Sequence, residues 1–251
     1  MLMSKLVPIA FPAGMISLGL EKASSKLDGL STSALEPGFG DTYTFYTGNG
    51  STAAGWPSRD DWVDFYTMWE KNEGLMNVSC SEIFNATNNS PTENEDILDA
   101  IQQVSYSTGV DKRFILAIIM QESMGCVRVR TTASPGQKIQ NPGLMQTHSG
   151  VGSCENHGNV TAPCGPVMIN LMIEDGVSGT NAGDGLKQLL KKAPGTGATK
   201  FYQAARMYNS GAIAPSGDLG QGCCTHCYAS DVANRLTGWV KAANKCTLDG
   251  S

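Results

Sequence analysis

Glu122 closes an apolar segment, Val110–Cys126, in which Ile115, Ile118, Ile119 and Glu122 recur at i, i+3, i+4 and i+7. That spacing puts all four side chains on one helical face, so the carboxyl shares the stripe that the isoleucines bury. Gly125 follows closely, which places Glu122 in the last turn, where the helix dipole disfavours a negative charge. Burial and dipole both raise the pKa of a carboxyl. An acid that stays protonated near neutrality can donate a proton to a departing oxygen, as general-acid cleavage of a glycosidic bond requires. The ordinary alternative is a helix-end Glu that turns to solvent or pairs with Arg128 or Arg130.

Two later segments could serve such an acid. In NPGLMQTHSG, residues 141–150, Pro142-Gly143 marks a turn, and Gly143 lets backbone approach a ligand closely. The Gln146 amide offers a donor and an acceptor, suited to sugar hydroxyl and acetamido groups. In ARMYNSG, Ala205–Gly211, Tyr208 supplies an amphipathic ring with a hydroxyl and Asn209 a two-sided amide. The Asn-Ser-Gly turn closes that helix. Without a ligand to serve, the first segment is a loop leading into a helix, Tyr208 caps the core and Asn209 is a C-cap.

The elements that must hold these groups are helices. Helical patterns cover residues 93–108, 111–124, 163–175, 183–193, 197–209 and 227–243, and Asp111 is placed to cap the second. Sustained strand alternation is missing from this half, so the fold class is mainly α. Upstream, Trp56–Asn72 carries Trp62, Phe65, Tyr66 and Trp69 at spacings of three and four, starting from Pro57 and Ser58. Such a stripe is read as a packing face before a sugar platform. Residues 24–58 read as loop with a short hairpin at DTYTFYTG, and 74–92 as a polar linker. The resulting division is 1–23, a weak signal peptide or an irregular tail; 24–92, an N-terminal extension with one aromatic helix and a sequon-rich linker; and 93–246, the main helical domain.

Composition narrows the setting. The chain has 251 residues, 16% of them charged, and a net charge of −5, which argues against nucleic acid as a partner. Eight cysteines (Cys80, Cys126, Cys154, Cys164, Cys223, Cys224, Cys227 and Cys246) suggest up to four disulfides and an oxidising compartment. They allow 105 pairings, none assigned here. The Cys223–Cys227 cluster with His226 could also be read as a metal site, but no second ligand pair sits at zinc-finger spacing. No metal or cofactor is expected. Sequons at Asn49, Asn77, Asn85, Asn88 and Asn159 favour a eukaryotic secretory route. No unbroken apolar run reaches the length of a membrane span.

In order along the chain, four motifs resemble the lysozyme-like superfamily: Glu122-Ser123, Gly143-Leu144-Met145-Gln146, Met207-Tyr208-Asn209-Ser210-Gly211, and Tyr228 opening the last helix. The nearest pattern is that of goose-type lysozymes and soluble lytic transglycosylases, glycoside hydrolase family 23, in a eukaryotic secreted variant. The resemblance covers about residues 93–243. It implies a lysozyme-like, SLT-like catalytic domain in which Glu122 is the essential acid. Gly143, Leu144, Met145, Gln146, Tyr208 and Asn209 would line a sugar cleft. Ser123 would position substrate or leaving group, and Tyr228 would support Glu122. The implied substrate is a polymer of N-acetylated amino sugars, peptidoglycan or chitin, cut at β-1,4 bonds by a monomer. Lytic transglycosylases close a 1,6-anhydro ring on the product, whereas lysozymes use water. Asn141-Pro142 stands where bacterial members often carry alanine, and His148-Ser149 replaces their usual continuation.

Inverting hydrolysis needs a second carboxylate to activate water. Asp175, Asp184, Asp218, Asp231 and Glu155 are the candidates, with Asp231 read as a cap or decoration of the last helix. His148 could orient a water or Glu122. Two rivals stand beside the enzyme: a non-catalytic sugar-binding or effector module on the same scaffold, and a cysteine enzyme pairing a free thiol with His148 or His226. The even cysteine count weighs against the second.

Overall fold

In the computed structural model, which describes residues 37–134, 139–156 and 158–248, seven α-helices carry nearly all the regular structure. Helix α1 spans Phe65–Ile83, α2 Pro91–Thr108, α3 Lys112–Glu122, α4 Pro166–Ser178, α5 Leu186–Lys192, α6 Thr199–Ser210 and α7 Tyr228–Leu236. Two minimal hairpins pair Thr132–Ala133 with Gln140–Asn141 and Glu155–Asn156 with Asn159–Val160. The reading of residues 1–23, and of the extension as far as residue 36, lies outside the described residues.

Local chemistry sets the helix starts. Asp64 accepts hydrogen bonds from the Tyr66 and Thr67 amides and so opens α1. Ser90 and Glu93 form a reciprocal capping box around Pro91 at the head of α2, and Gly109, at φ +74°, ends it. Asp111 caps α3 through the Arg113 amide, as its position predicts. The α3 residues from Phe114 to Met120 are all 0% exposed. A helix buried on every side is the core of the fold, and its far end emerges at Glu122. Helix α7 packs against α3 and α6, α4 against α2, and α5 against α6.

Three expectations need correcting. The segment 74–92 is not a linker: α1 runs on to Ile83 because Met68, Trp69, Asn72, Met76, Ser79 and Cys80 bury one face at helical spacing. Its asparagines bond the protein itself, Asn77 receiving the Asn94 amide at 2.7 Å and Asn88 reaching Ser81 at 2.8 and 2.9 Å. Segment 37–92 is likewise no separate extension, since it belongs to the same compact unit, Leu35–Ser251, as the later helices. Trp62 lies at 5.1 Å from Phe201, Trp56 at 5.1 Å from Tyr202, and the Trp62 indole donates to the Tyr202 hydroxyl at 2.9 Å. Of the aromatic stripe, Trp62, Phe65 and Trp69 are buried and Tyr66 is exposed. Finally, α7 stops at Leu236, short of residue 243, where the chain reverses through Gly238 at φ +112° and the Trp239 amide returns to the Asn234 carbonyl.

Residues 41–47 alternate like a strand but pair with no strand. Their backbone is satisfied by side chains of α7: Thr44 exchanges two 2.7 Å hydrogen bonds with the Asn234 amide, and the Tyr46 amide donates to Ser230 Oγ at 3.0 Å. Extended backbone must find partners when buried, and here helix side chains provide them.

All eight cysteines are paired: Cys80 with Cys126, Cys154 with Cys164, Cys223 with Cys224, and Cys227 with Cys246. The Cys223–Cys227 cluster is therefore occupied by disulfides, and the thiol that a cysteine enzyme would need is absent among the described residues. No described helix is long and apolar enough to cross a membrane.

Candidate functional site

Glu122 is the last residue of α3, where the buried helix reaches the surface, and it is half-buried. Its one hydrogen-bond partner among the described residues is Tyr228 at the head of α7, whose hydroxyl donates to Glu122 Oε1 at 2.5 Å. Burial pushes the carboxyl up to about 7, and the Tyr228 hydrogen bond pulls weakly the other way. No cation pairs with it among the described residues. Arg128 turns instead to Glu93 and to the Thr87 and Asn88 carbonyls, at 2.9 and 2.7 Å. Arg130 is exposed.

Two tyrosines frame the acid. Burial and the Glu122 charge both raise the pKa of Tyr228, and the same two causes raise that of Tyr208. Both hydroxyls therefore stay neutral donors at any working pH. Tyr208, in α6, donates to the Met145 carbonyl at 2.9 Å and meets Thr147 Oγ1 at 3.4 Å. That bond ties α6 to the 143–147 turn, and the Glu122 charge acts on the same tyrosine.

Not every expected contact faces a ligand. Ser123 is 0% exposed, and its hydroxyl donates to the Ile119 carbonyl at 3.0 Å and accepts from the Gly125 amide, so it closes α3. Leu144 and Met145 are also 0% exposed and belong to the core, and Tyr228 is buried at 2%. Gly143, at φ +76°, is needed for packing: a Cβ there would lie 2.5 Å from the Gly152 carbonyl oxygen and 2.8 Å from Met172 Cγ. The Gln146 amide is engaged within its own loop, donating to the Gly143 and Arg130 carbonyls at 3.1 and 3.3 Å and accepting from Thr132 at 2.8 Å. Gln146 and Met124 both hold positive φ, +46° and +49°, a costly conformation for such side chains that persists only where the surroundings enforce it. Asn209 is half-buried and accepts from the Thr225 amide at 3.1 Å.

The candidate second carboxylates divide sharply. Asp175 accepts the Val151 and Gly152 amides at 2.7 and 3.0 Å, and of the five it alone acts with Glu122 in raising the pKa of the same tyrosine, Tyr208. Asp184 pairs with Lys192, Asp218 holds the Gly220 amide, and Glu155 holds those of Thr131 and Gly158. Asp231 sits in the first turn of α7 but does not decorate it. It is 5% exposed and receives the Tyr43 hydroxyl at 2.5 Å and the Gln121 amide at 3.0 Å. His148 packs against Gly183, and its carbonyl accepts from Thr180.

Behind Glu122 runs a buried network that sequence reasoning missed. Gln121 bridges Asp231 and Arg235, accepting from Arg235 Nε at 2.8 Å, and the Arg235 guanidinium lies 4.6 Å over Trp239. Burial lowers the Arg235 pKa to about 10. The available signal was the i, i+4 pair Asp231 and Arg235, which does not reveal that Tyr43 would cross the molecule to meet it. Among the described residues, one cleft opens beside Lys187, Lys191 and Lys200 and another beside Gly48 and Asp218; neither of these includes Glu122.

No family model matches this chain, and neither a curated protein nor a solved structure was found to match it.

Proposed function

We propose that the chain is a secreted glycosidase that cleaves β-1,4 bonds between N-acetylated amino sugars, with Glu122 as general acid. One observation carries this reading: a half-buried carboxyl, raised to about 7, has a neutral tyrosine hydroxyl as its only hydrogen-bond partner among the described residues. Such an acid is protonated in mild acid and still reaches the surface to pass its proton to a glycosidic oxygen. Tyr228 fixes the carboxyl's rotamer through Oε1, which leaves the other oxygen to act. The order of the four motifs supports the lysozyme-like assignment, and paired cysteines with no spanning helix are compatible with secretion.

As the glycosidic bond breaks, the electron pair goes to the leaving oxygen with the Glu122 proton, and the sugar gains oxocarbenium character. If water completes the reaction, a second carboxylate must activate it. If the sugar's own 6-hydroxyl completes it, no second carboxylate is required.

Purified chain incubated with chitin and peptidoglycan oligomers between pH 4 and 8 tests the proposal, with products read by mass spectrometry. Cleavage that disappears in Glu122→Gln supports it. Oligomers that bind but are never cut would point to a non-catalytic binding module. A product about 18 mass units below the hydrolysis product marks the anhydro outcome, since ring closure replaces the added water.

A further inference from the structure

We propose that the cleft beside α5 and the start of α6 is a binding site for a multiply charged oxyanion, a phosphate or sulfate group. The cleft measures about 320 Å³, and Arg59, Lys187, Lys191 and Lys200 line it over an apolar floor that includes Leu190 and Phe201. No acidic residue is among its lining, although the chain has 23 acidic against 18 basic residues. Four cations gathered in one cleft of an acidic protein call for an explanation.

Lys187, Lys191 and Lys200 form neither an ion pair nor a hydrogen bond among the described residues, whereas the neighbouring Lys192 pairs with Asp184. Lys187 and Lys191 stand four apart on α5, a like-charge spacing that destabilises a helix. Lys200 sits in the first turn of α6, which has no capping side chain and no acid, so it adds charge where the helix already presents a positive end. Only Arg59 is neutralised, by Asp111, while its guanidinium lies 5.3 Å over Trp62 and 4.9 Å over Phe201. Three unneutralised ammonium groups around one hollow repel one another, and a multivalent anion would relieve that repulsion. A monovalent anion would leave most of it in place. The cleft suits a phosphate group, free or carried as a monoester, a free sulfate, or a glycan bearing two or more sulfate esters, since one sulfate ester carries a single charge.

Titration calorimetry of the full chain with pyrophosphate, and separately with a multiply sulfated disaccharide, tests this in chloride buffer of constant ionic strength. Saturable one-site binding is expected for at least one of them. In Lys187→Gln/Lys191→Gln/Lys200→Gln, binding should weaken by at least about tenfold, because three solvent-screened charge contacts of about threefold each are lost together. Lys71→Gln/Lys241→Gln/Lys245→Gln changes net charge equally at exposed sites elsewhere and should leave binding unchanged. Should the triple cleft variant misfold, the exposed single change Lys191→Gln carries the test, with about a threefold loss. Tighter binding of pyrophosphate identifies a free phosphate ligand, and tighter binding of the disaccharide a glycan-borne sulfate. Absence of saturable binding to both anions, or equal weakening in the control variant, overturns the proposal and leaves the reading of Glu122 untouched.

Discussion

The proton on Glu122 has consequences that can be measured without knowing the substrate. Burial raises the carboxyl from an ordinary 4.5 to about 7, so the native state holds a proton that the unfolded chain has released between those values. Stability therefore falls as pH rises from about 4.5 through 7, by on the order of 1–3 kcal/mol for a half-buried group. In Glu122→Gln this slope should vanish: the variant should melt above the wild type at pH 8 and with it at pH 4. Unfolding curves at the two pH values decide, and equal melting at pH 8 would contradict the raised pKa. The same substitution should lower cleavage at least about 100-fold while the fold persists. Tyr228→Phe removes the one interaction that favours the charged carboxylate, so Glu122 should titrate higher still. A carboxyl carbon resonance followed by NMR reads that shift, and a downward movement would show that Tyr228 holds the acid differently.

Among the elements, the Glu93–Arg128 pair is the clearest stabilising device. Arg128 is 2% and Glu93 3% exposed, and Glu93 also receives the Ser90 and Cys164 amides at 2.7 Å each. Burial alone would raise the Glu93 pKa, but the Arg128 contacts and the two amides bring it down to about 2. A depressed carboxyl stabilises the fold above its unfolded pKa of about 4.5, and this contribution is lost as pH falls toward 2. Arg128→Met would leave the carboxylate buried without its cation and should cost about 3–5 kcal/mol, read from denaturant unfolding at pH 7. A loss below about 1 kcal/mol would mean that the two amides suffice.

Helix α3 was legible because its evidence is local: a capping Asp111, isoleucines at helical spacing and Gly125 just beyond the end. Helix α1 was only half legible. The polar residues of 74–92 suggest a linker to any reading of composition, yet Met76 and Cys80 carry on the buried face, and one face is all a surface helix needs. The candidate site divided in the same way. Glu122 could be found from periodicity and helix position. The inward turn of Ser123, the looped-back Gln146 amide and the reach of Tyr43 to Asp231 across 188 residues depend on tertiary contacts that leave no mark in neighbouring sequence.

For the molecule as a whole, the buried Glu93 and the half-buried Glu122 set opposing limits. Glu93 contributes above about pH 4.5 and Glu122 favours the fold below about 7, so together they place greatest stability in mild acid. The Cys80–Cys126 disulfide, with a sequence separation of 46, clips α1 to the loop after α3. Closing a loop of that length restricts the unfolded chain by about 4 kcal/mol, so Cys80→Ser/Cys126→Ser should melt well below the wild type. An unchanged melting temperature would show that packing between α1 and α3 already supplies that restraint.

Asp41 accepts amide hydrogen bonds from Val240, Lys241 and Ala242, about 200 positions further along the chain. That clasp, together with α7, can close only once residues 228–242 have left the ribosome. Because α7 brings Tyr228 and helps to enclose Glu122, a chain clipped before residue 228 would carry an ordinary solvated glutamate in place of the raised acid.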